Sequence, residues 1–237
     1  MKCSLASVYF FAVLFFLLPV FGFTQELTIE VKHIVGKDSL ILNSTRCTNS
    51  KGQEFFVGKL KYYISNIVLT DISGNKLYAD TSFLIDESKP ESKKIFLNNI
   101  TVNNYQSVEF IVGVDSLHNC SGAQSGSLDP LNGMFWTWNS GYIFFKLEGK
   151  SSYSNLPDNL IEYHIGGYKE PHNSIRKIKL SLDSKPTKEI FINTDIGKLF
   201  SSEAGIEFSE TPSITTTPKA YLLADQFYRM FTVMKQE

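Results

Sequence analysis

Two tryptophans and four histidines carry most of the unusual chemistry in this 237-residue chain. Trp136 and Trp138 stand two apart in Gly133-Met134-Phe135-Trp136-Thr137-Trp138-Asn139-Ser140-Gly141-Tyr142, so an extended backbone turns both indoles to one face. One use of such a pair is to fill a core. Another is a stacking platform for a pyranose ring or a protein partner, with Asn132, Asn139 and Ser140 supplying hydrogen bonds. The turn-forming residues on both sides place at least one indole near the mouth of the fold.

Imidazole is the commonest metal ligand among side chains, and the four histidines differ in context. His164 lies in Glu162-Tyr163-His164-Ile165-Gly166-Gly167, on the strand face opposite Ile161, Tyr163 and Ile165. The Gly-Gly that follows lets another loop approach it closely. His33 ends the first expected strand, His118 follows Asp115 ahead of a glycine-rich loop, and His172 sits in a loop beside Pro171. His164 is the leading candidate for a functional role.

Other reactive patterns are missing. The sequence has no glycine-rich phosphate loop, no Gly-x-Ser-x-Gly elbow, no His-Glu-x-x-His and no calcium loop. Serines among glycines occur at Cys120-Ser121-Gly122-Ala123-Gln124-Ser125-Gly126, without the strand-to-helix context a nucleophile needs. No nucleophile–base pair shows, and the expectation is a protein that is not itself an enzyme. A net charge of −1 lacks the basic excess of a nucleic-acid binder.

The elements that must position these residues read mostly as strands. Residues 1–24 form an expected secretory signal peptide: Lys2, then the apolar run Leu5 to Leu18, then a cleavage region between Gly22 and Gln25. That run is short for a bilayer span, so the mature chain, from residue 25 to 237, is expected in the periplasm or outside the cell with no stable membrane span. Cys47 and Cys120 are then the remaining cysteines; pairing and separate thiols are equally open, and neither has metal-site spacing.

Leu27-Thr28-Ile29-Glu30-Val31-Lys32 alternates with period two, and Ser39-Leu40-Ile41-Leu42 follows after a short turn. Further strands are expected over Phe55 to Thr70, Lys76 to Tyr78, Ser82 to Asp86, Lys94 to Leu97, Ser107 to Val114, Gly141 to Leu147, Leu160 to Ile165, Lys177 to Leu182 and Glu189 to Asn193. Asn119 to Ser127 reads as an irregular surface connection. Thr217 and Pro218 mark a helix start, after which Ala220, Leu223, Ala224, Phe227 and Phe231 share one helical face. The spacing predicts an all-β fold, an antiparallel β-sandwich with a C-terminal helix that closes one edge or end.

The tryptophan stretch, continued by Lys146-Leu147-Glu148-Gly149, resembles the MbnP-like family of secreted copper-binding proteins related to MbnP and MopE. Val57-Gly58-Lys59-Leu60-Lys61-Tyr62-Tyr63-Ile64-Ser65-Asn66-Ile67, Gly113-Val114-Asp115-Ser116, His164-Ile165-Gly166 and Tyr228-Arg229-Met230-Phe231 match it as well. The resemblance implies a β-sandwich that binds copper outside the cytoplasm. In some members the ligands are histidines and a kynurenine, made from tryptophan by a diheme cytochrome-c-peroxidase-like partner of the MauG type. An indole N–H is a donor only, whereas kynurenine offers an aromatic amine and a ketone.

Carried over by position, Trp136 or Trp138 is the residue oxidised and His164 a copper ligand. The chain departs from the family arrangement in which a histidine lies two residues after the modified tryptophan, since Trp138 and Ser140 hold those places. His33 or His118 is the expected substitute, brought in by the fold.

Overall fold

In a computed structural model of the chain, the structure describes residues 26–98, 104–136, 141–183, 185, 187–215 and 217–234. The expected leader and Trp138 lie outside them. The first strands are β1 (Leu27–Val35), β2 (Asp38–Ser39), β3 (Arg46–Thr48), β4 (Glu54–Asp71), β5 (Lys76–Asp86), β6 (Lys94–Leu97) and β7 (Tyr105–Val112). Helix α1 (Ser116–Cys120) and two 3-10 turns then lead to β8 (Phe135–Trp136) and β9 (Gly141–Lys150). The chain closes with β10 (Leu160–Gly166), β11 (Arg176–Ser181), β12 (Glu189–Asp195), β13 (Ser213–Ile214), α2 (Thr217–Ala224), α3 (Phe227–Met230) and β14 (Phe231–Val233).

These strands build two facing sheets. The smaller runs β14-β12-β1, with β6 and β2 pairing end to end along the other side of β1. The larger runs β11-β7-β4-β9-β10-β13, with β3 and β5 on β4 and β8 on β9. Most ladders are antiparallel as predicted, but β1·β12 and β10·β13 are parallel, so both sheets are mixed. β4 spans 18 residues in one strand; a bulge at Asn66, with φ of 53°, shifts its register against β5 and β7.

Period-two alternation sets what each strand buries. In β1, Leu27, Ile29, Val31 and His33 point inward. In β10, Ile161, Tyr163 and Ile165 do so, leaving Glu162, His164 and Gly166 on the outer face. The inter-sheet core is aliphatic and aromatic, with Tyr62 stacked on Phe145 and edge-on to Phe231, and Phe55, Phe200 and Phe208 in mutual edge contact.

A second, smaller core lies on the outer side of the large sheet. Val114, just before α1, and Leu128, Met134 and Trp136 from the α1–β8 segment pack on Tyr63, Tyr142, Ile143 and Phe144. The expected irregular surface connection at Asn119–Ser127 is found as such over Ser121–Ser125, largely exposed, with the last residues of α1 before it and a 3-10 turn (Gly126–Leu128) after it. Polar bonds at its two ends hold the flanking segments to the sheet. Asn119 is buried, donating to Val114 O and Asp115 O and accepting from Tyr142 N–H. Tyr142 and Tyr63 hydroxyls donate to Leu128 O (2.8 Å) and Ser127 O (3.0 Å).

The C-terminal helix is shorter than its apolar stripe predicts. It begins at Thr217 but ends at Ala224, α3 adds a single turn, and Phe231 starts β14. Sheet pairing wins here: β14 extends the small sheet beside β12, while Phe231 packs against Tyr62 and Phe110. Cys47 is buried and Cys120 exposed, and both are free thiols. Among the described residues no helix is long and apolar enough to cross a membrane.

Candidate metal centre

The outer face of the large sheet carries an unusual row of charges. β9 and β10 pair antiparallel with Glu148 opposite Glu162 and Lys146 opposite His164. Like charges directly opposite on one sheet face repel, so the Glu148–Glu162 pair violates a local rule of strand pairing. His164 Nε2 lies 3.0 Å from Glu148 Oε1. Among the described residues, Glu148, Glu162 and His164 form the one group of three or more potential metal-ligating side chains, with ligand atoms all within 4.8 Å of one another.

Two lysines offset part of this charge. Lys59, opposite Glu148 on β4, reaches Glu148 Oε2 at 2.6 Å, and Lys146 Nζ lies 3.6 Å from Oε1. The hydrogen bond from His164, then that from Lys59, outweigh burial and hold the Glu148 carboxyl down to about 2. Burial lowers the Lys146 ammonium from its ordinary value; it also donates to Gly133 O at 2.8 Å. Glu162 forms no ion pair among the described residues.

The same row of outward positions ends under a tryptophan. A Cβ on Gly166 would come 2.7 and 2.9 Å from two carbons of the Trp136 ring, and 2.6 Å from Tyr142 O. Only glycine lets the indole lie this close to β10. Trp136 is thus set on the face that bears His164 two residues earlier. It is 6% exposed and lines a cavity of about 220 Å³, so it does not offer the open stacking platform considered from sequence.

A profile of the MbnP family matches residues 24–217. The chain belongs to the MbnP family. Among solved structures, MbnP from Methylosinus trichosporium is similar in fold, with 16% sequence identity, a TM-score of 0.54, and coverage of 75% of this chain and 78% of that one. No curated protein sequence matches. In this member of the MbnP family, the Trp136 ring packs by Gly166 on the sheet face that bears His164.

Neither His33 nor His118, the other two candidate ligands, joins them. His33 is buried between the sheets, with Nδ1 on Glu87 Oε2 and Nε2 2.8 Å from the Tyr62 hydroxyl. Burial lowers its ring from the ordinary value while Glu87 opposes, which leaves a neutral imidazole donating to Glu87 and accepting from Tyr62. His118 sits on α1, with Nδ1 2.6 Å from Asp115 Oδ2, the residue that caps that helix. Sequence reasoning missed Glu148 and Glu162. Both lie at outward positions of strands it located, and only the register reveals them as neighbours.

Proposed function

We propose that the chain is a secreted or periplasmic copper-binding protein, not an enzyme itself, that takes part in copper acquisition or handling. The observation that carries this reading is the opposed Glu148–Glu162 pair with His164 beside it, on the sheet face on which Trp136 also packs, at Gly166. Opposed carboxylates on a sheet face are destabilising alone and become favourable around a cation. One imidazole nitrogen and two carboxylate oxygens suit Cu(II), which stands at the top of the divalent first-row affinity order.

In this reading His164, Glu148 and Glu162 hold the ion, and Lys59 and Lys146 keep Glu148 paired without it. Trp136 is the residue a diheme cytochrome-c-peroxidase-like partner would oxidise. With dioxygen or hydrogen peroxide supplying both oxygen atoms, oxidative cleavage of the C2–C3 bond gives N-formylkynurenine, and hydrolysis then releases C2 as formate and frees the ring nitrogen as an aromatic amine, a donor that the intact indole lacks.

The test is copper(II) titration by calorimetry of wild type, His164→Gln and Glu162→Gln. Each variant is expected to weaken binding by more than about tenfold, at least what loss of an outer-shell partner costs. Equal affinity in all three would remove this cluster from the metal site. Peptide mass analysis after co-expression with the peroxidase tests the modification; an unaltered indole in the Trp136 peptide counts against it.

A further inference from the structure

Among the described residues, β5 pairs with β4 along one side and with no strand on the other. The phase of the β4·β5 ladder follows from its two ends, where Asp71 N–H donates to Asn75 O and Glu87 N–H to Leu60 O. Leu77 and Ala79 therefore exchange backbone hydrogen bonds with β4, while Lys76, Tyr78 and Asp80 turn theirs to the free edge, as do Ser82 and Asp86 further along. The later part of that edge is closed. Ser82 O accepts from Ser127 Oγ, and Asp86 N–H donates to Ser92 Oγ at 2.9 Å; both serines come from 3-10 turns, Gly126–Leu128 and Pro90–Lys93.

No described residue closes the edge at Lys76, Tyr78 or Asp80. A row of unpaired backbone groups is a template for another strand, and proteins usually cover it, as this one does from Ser82 onward. The open stretch also borders apolar surface. Tyr78 and Phe96, 68% and 51% exposed, line with Leu77, Ala79 and Phe83 a groove between β5 and β6. The side chains divide by face: Leu77 and Ala79 pack on the inter-sheet core, and Lys76, Tyr78 and Asp80 point the other way.

We propose that this edge joins two copies of the chain, with residues 76–80 of each pairing antiparallel across a two-fold axis at Tyr78. The segment complements its own reverse. In that register Lys76 faces Asp80 of the second copy, and the same contact repeats across the axis; Leu77 faces Ala79, and Tyr78 faces its counterpart. Lys76, Tyr78 and Asp80 are also the residues with free backbone groups, so each of their pairs exchanges both hydrogen bonds. Opposite charges directly across a ladder support pairing, whereas slipping the strands until Lys76 meets Lys76, or Asp80 meets Asp80, sets like charges opposite. This charge order commits the edge to a second copy, and a contact related by a two-fold axis closes on itself without forming fibres. The inference is independent of the copper reading.

The experiment is sedimentation velocity on the full secreted chain from about 1 μM to about 1 mM, which spans weak to moderate association. Wild type is compared with Lys76→Asp, Asp80→Lys, the double variant carrying both, and Tyr78→Pro. Each single reversal sets like charges opposite at both symmetry-related contacts and is expected to weaken the dimer by more than about tenfold; the double variant restores the opposite-charge pairs and should recover it. Tyr78→Pro removes an N–H that β4 does not use, a position where an edge strand tolerates proline, and should give a folded monomer. Recovery in the double variant reports the pairing and not the fold, since both substituted side chains lie on the surface. A wild type that stays monomeric throughout would overturn the inference, and so would a dimer that neither single reversal weakens. Slow, concentration-independent hydrogen exchange at the Lys76, Tyr78 and Asp80 amides would also overturn it, by assigning the cover of this edge to the same chain.

Discussion

Replacing Gly166 with alanine tests the contact that joins β10 to the tryptophan. Gly166 is not in the left-handed region, so alanine suits its backbone and even gains about 0.4–1 kcal/mol by restricting the unfolded chain. The new methyl, however, would stand 2.7 and 2.9 Å from indole carbons and 2.6 Å from Tyr142 O. Carbon pairs sit best at about 3.5–4.0 Å, so the ring must retreat by roughly 1 Å. Tyr142 has little room to yield, because its N–H and hydroxyl are both tied to the α1–β8 segment. Overpacking of this kind costs about 1–3 kcal/mol, which exceeds the backbone gain. Urea unfolding should therefore show Gly166→Ala less stable by about 1–2 kcal/mol once that gain is subtracted, with an altered tryptophan emission in the native state. A variant as stable as wild type with unchanged emission would refute the packing of Trp136 on β10.

Four further outcomes follow from the cores. His33→Leu leaves the buried Tyr62 hydroxyl and the Glu87 carboxylate short of a partner, although Thr194 and Lys93 still bond to them; chemical denaturation should register a loss of about 2–4 kcal/mol. Because burial holds His33 below 6.5, and its bonds hold Glu87 below 4.5 against burial, the unfolded chain binds more protons. Stability should fall as pH drops below 6.5 and again below 4.5; His33→Leu should flatten the first decline, and a wild-type profile level between pH 7 and 5 would contradict the neutral assignment. Burial, with Asp195 adding to it, pushes the Cys47 thiol up to about 11; a thiol reagent should modify Cys120 in the native protein and reach Cys47 only after denaturation. Phe231→Ala removes a ring packed on Tyr62 and Phe110 and should cost about 3–5 kcal/mol, whereas a cost below about 1 kcal/mol would mean β14 contributes little to the core.

Much of this molecule is written locally. Alternation in Leu27–Val35 and Leu160–Gly166 determines which side chains face inward, because the strand period is two whatever the neighbours are. The same period already puts His33 in line with Leu27, Ile29 and Val31, a sign that it belongs to the core and not to a metal centre. The motif around Trp136 and His164 marks the family without any coordinates.

What the sequence leaves open depends on register and on contacts between distant segments. Glu148 and Glu162 become neighbours only when β9 and β10 pair with that one alignment; a slip of one residue would turn one of them inward. Phe231 fits a helical stripe and a strand equally well until β12 offers it an edge. The same holds for Trp136, whose surroundings join β8 to β10 and the loop that follows β10, segments far apart in sequence. Local periodicity decides which face a side chain takes, and tertiary pairing decides what it meets there.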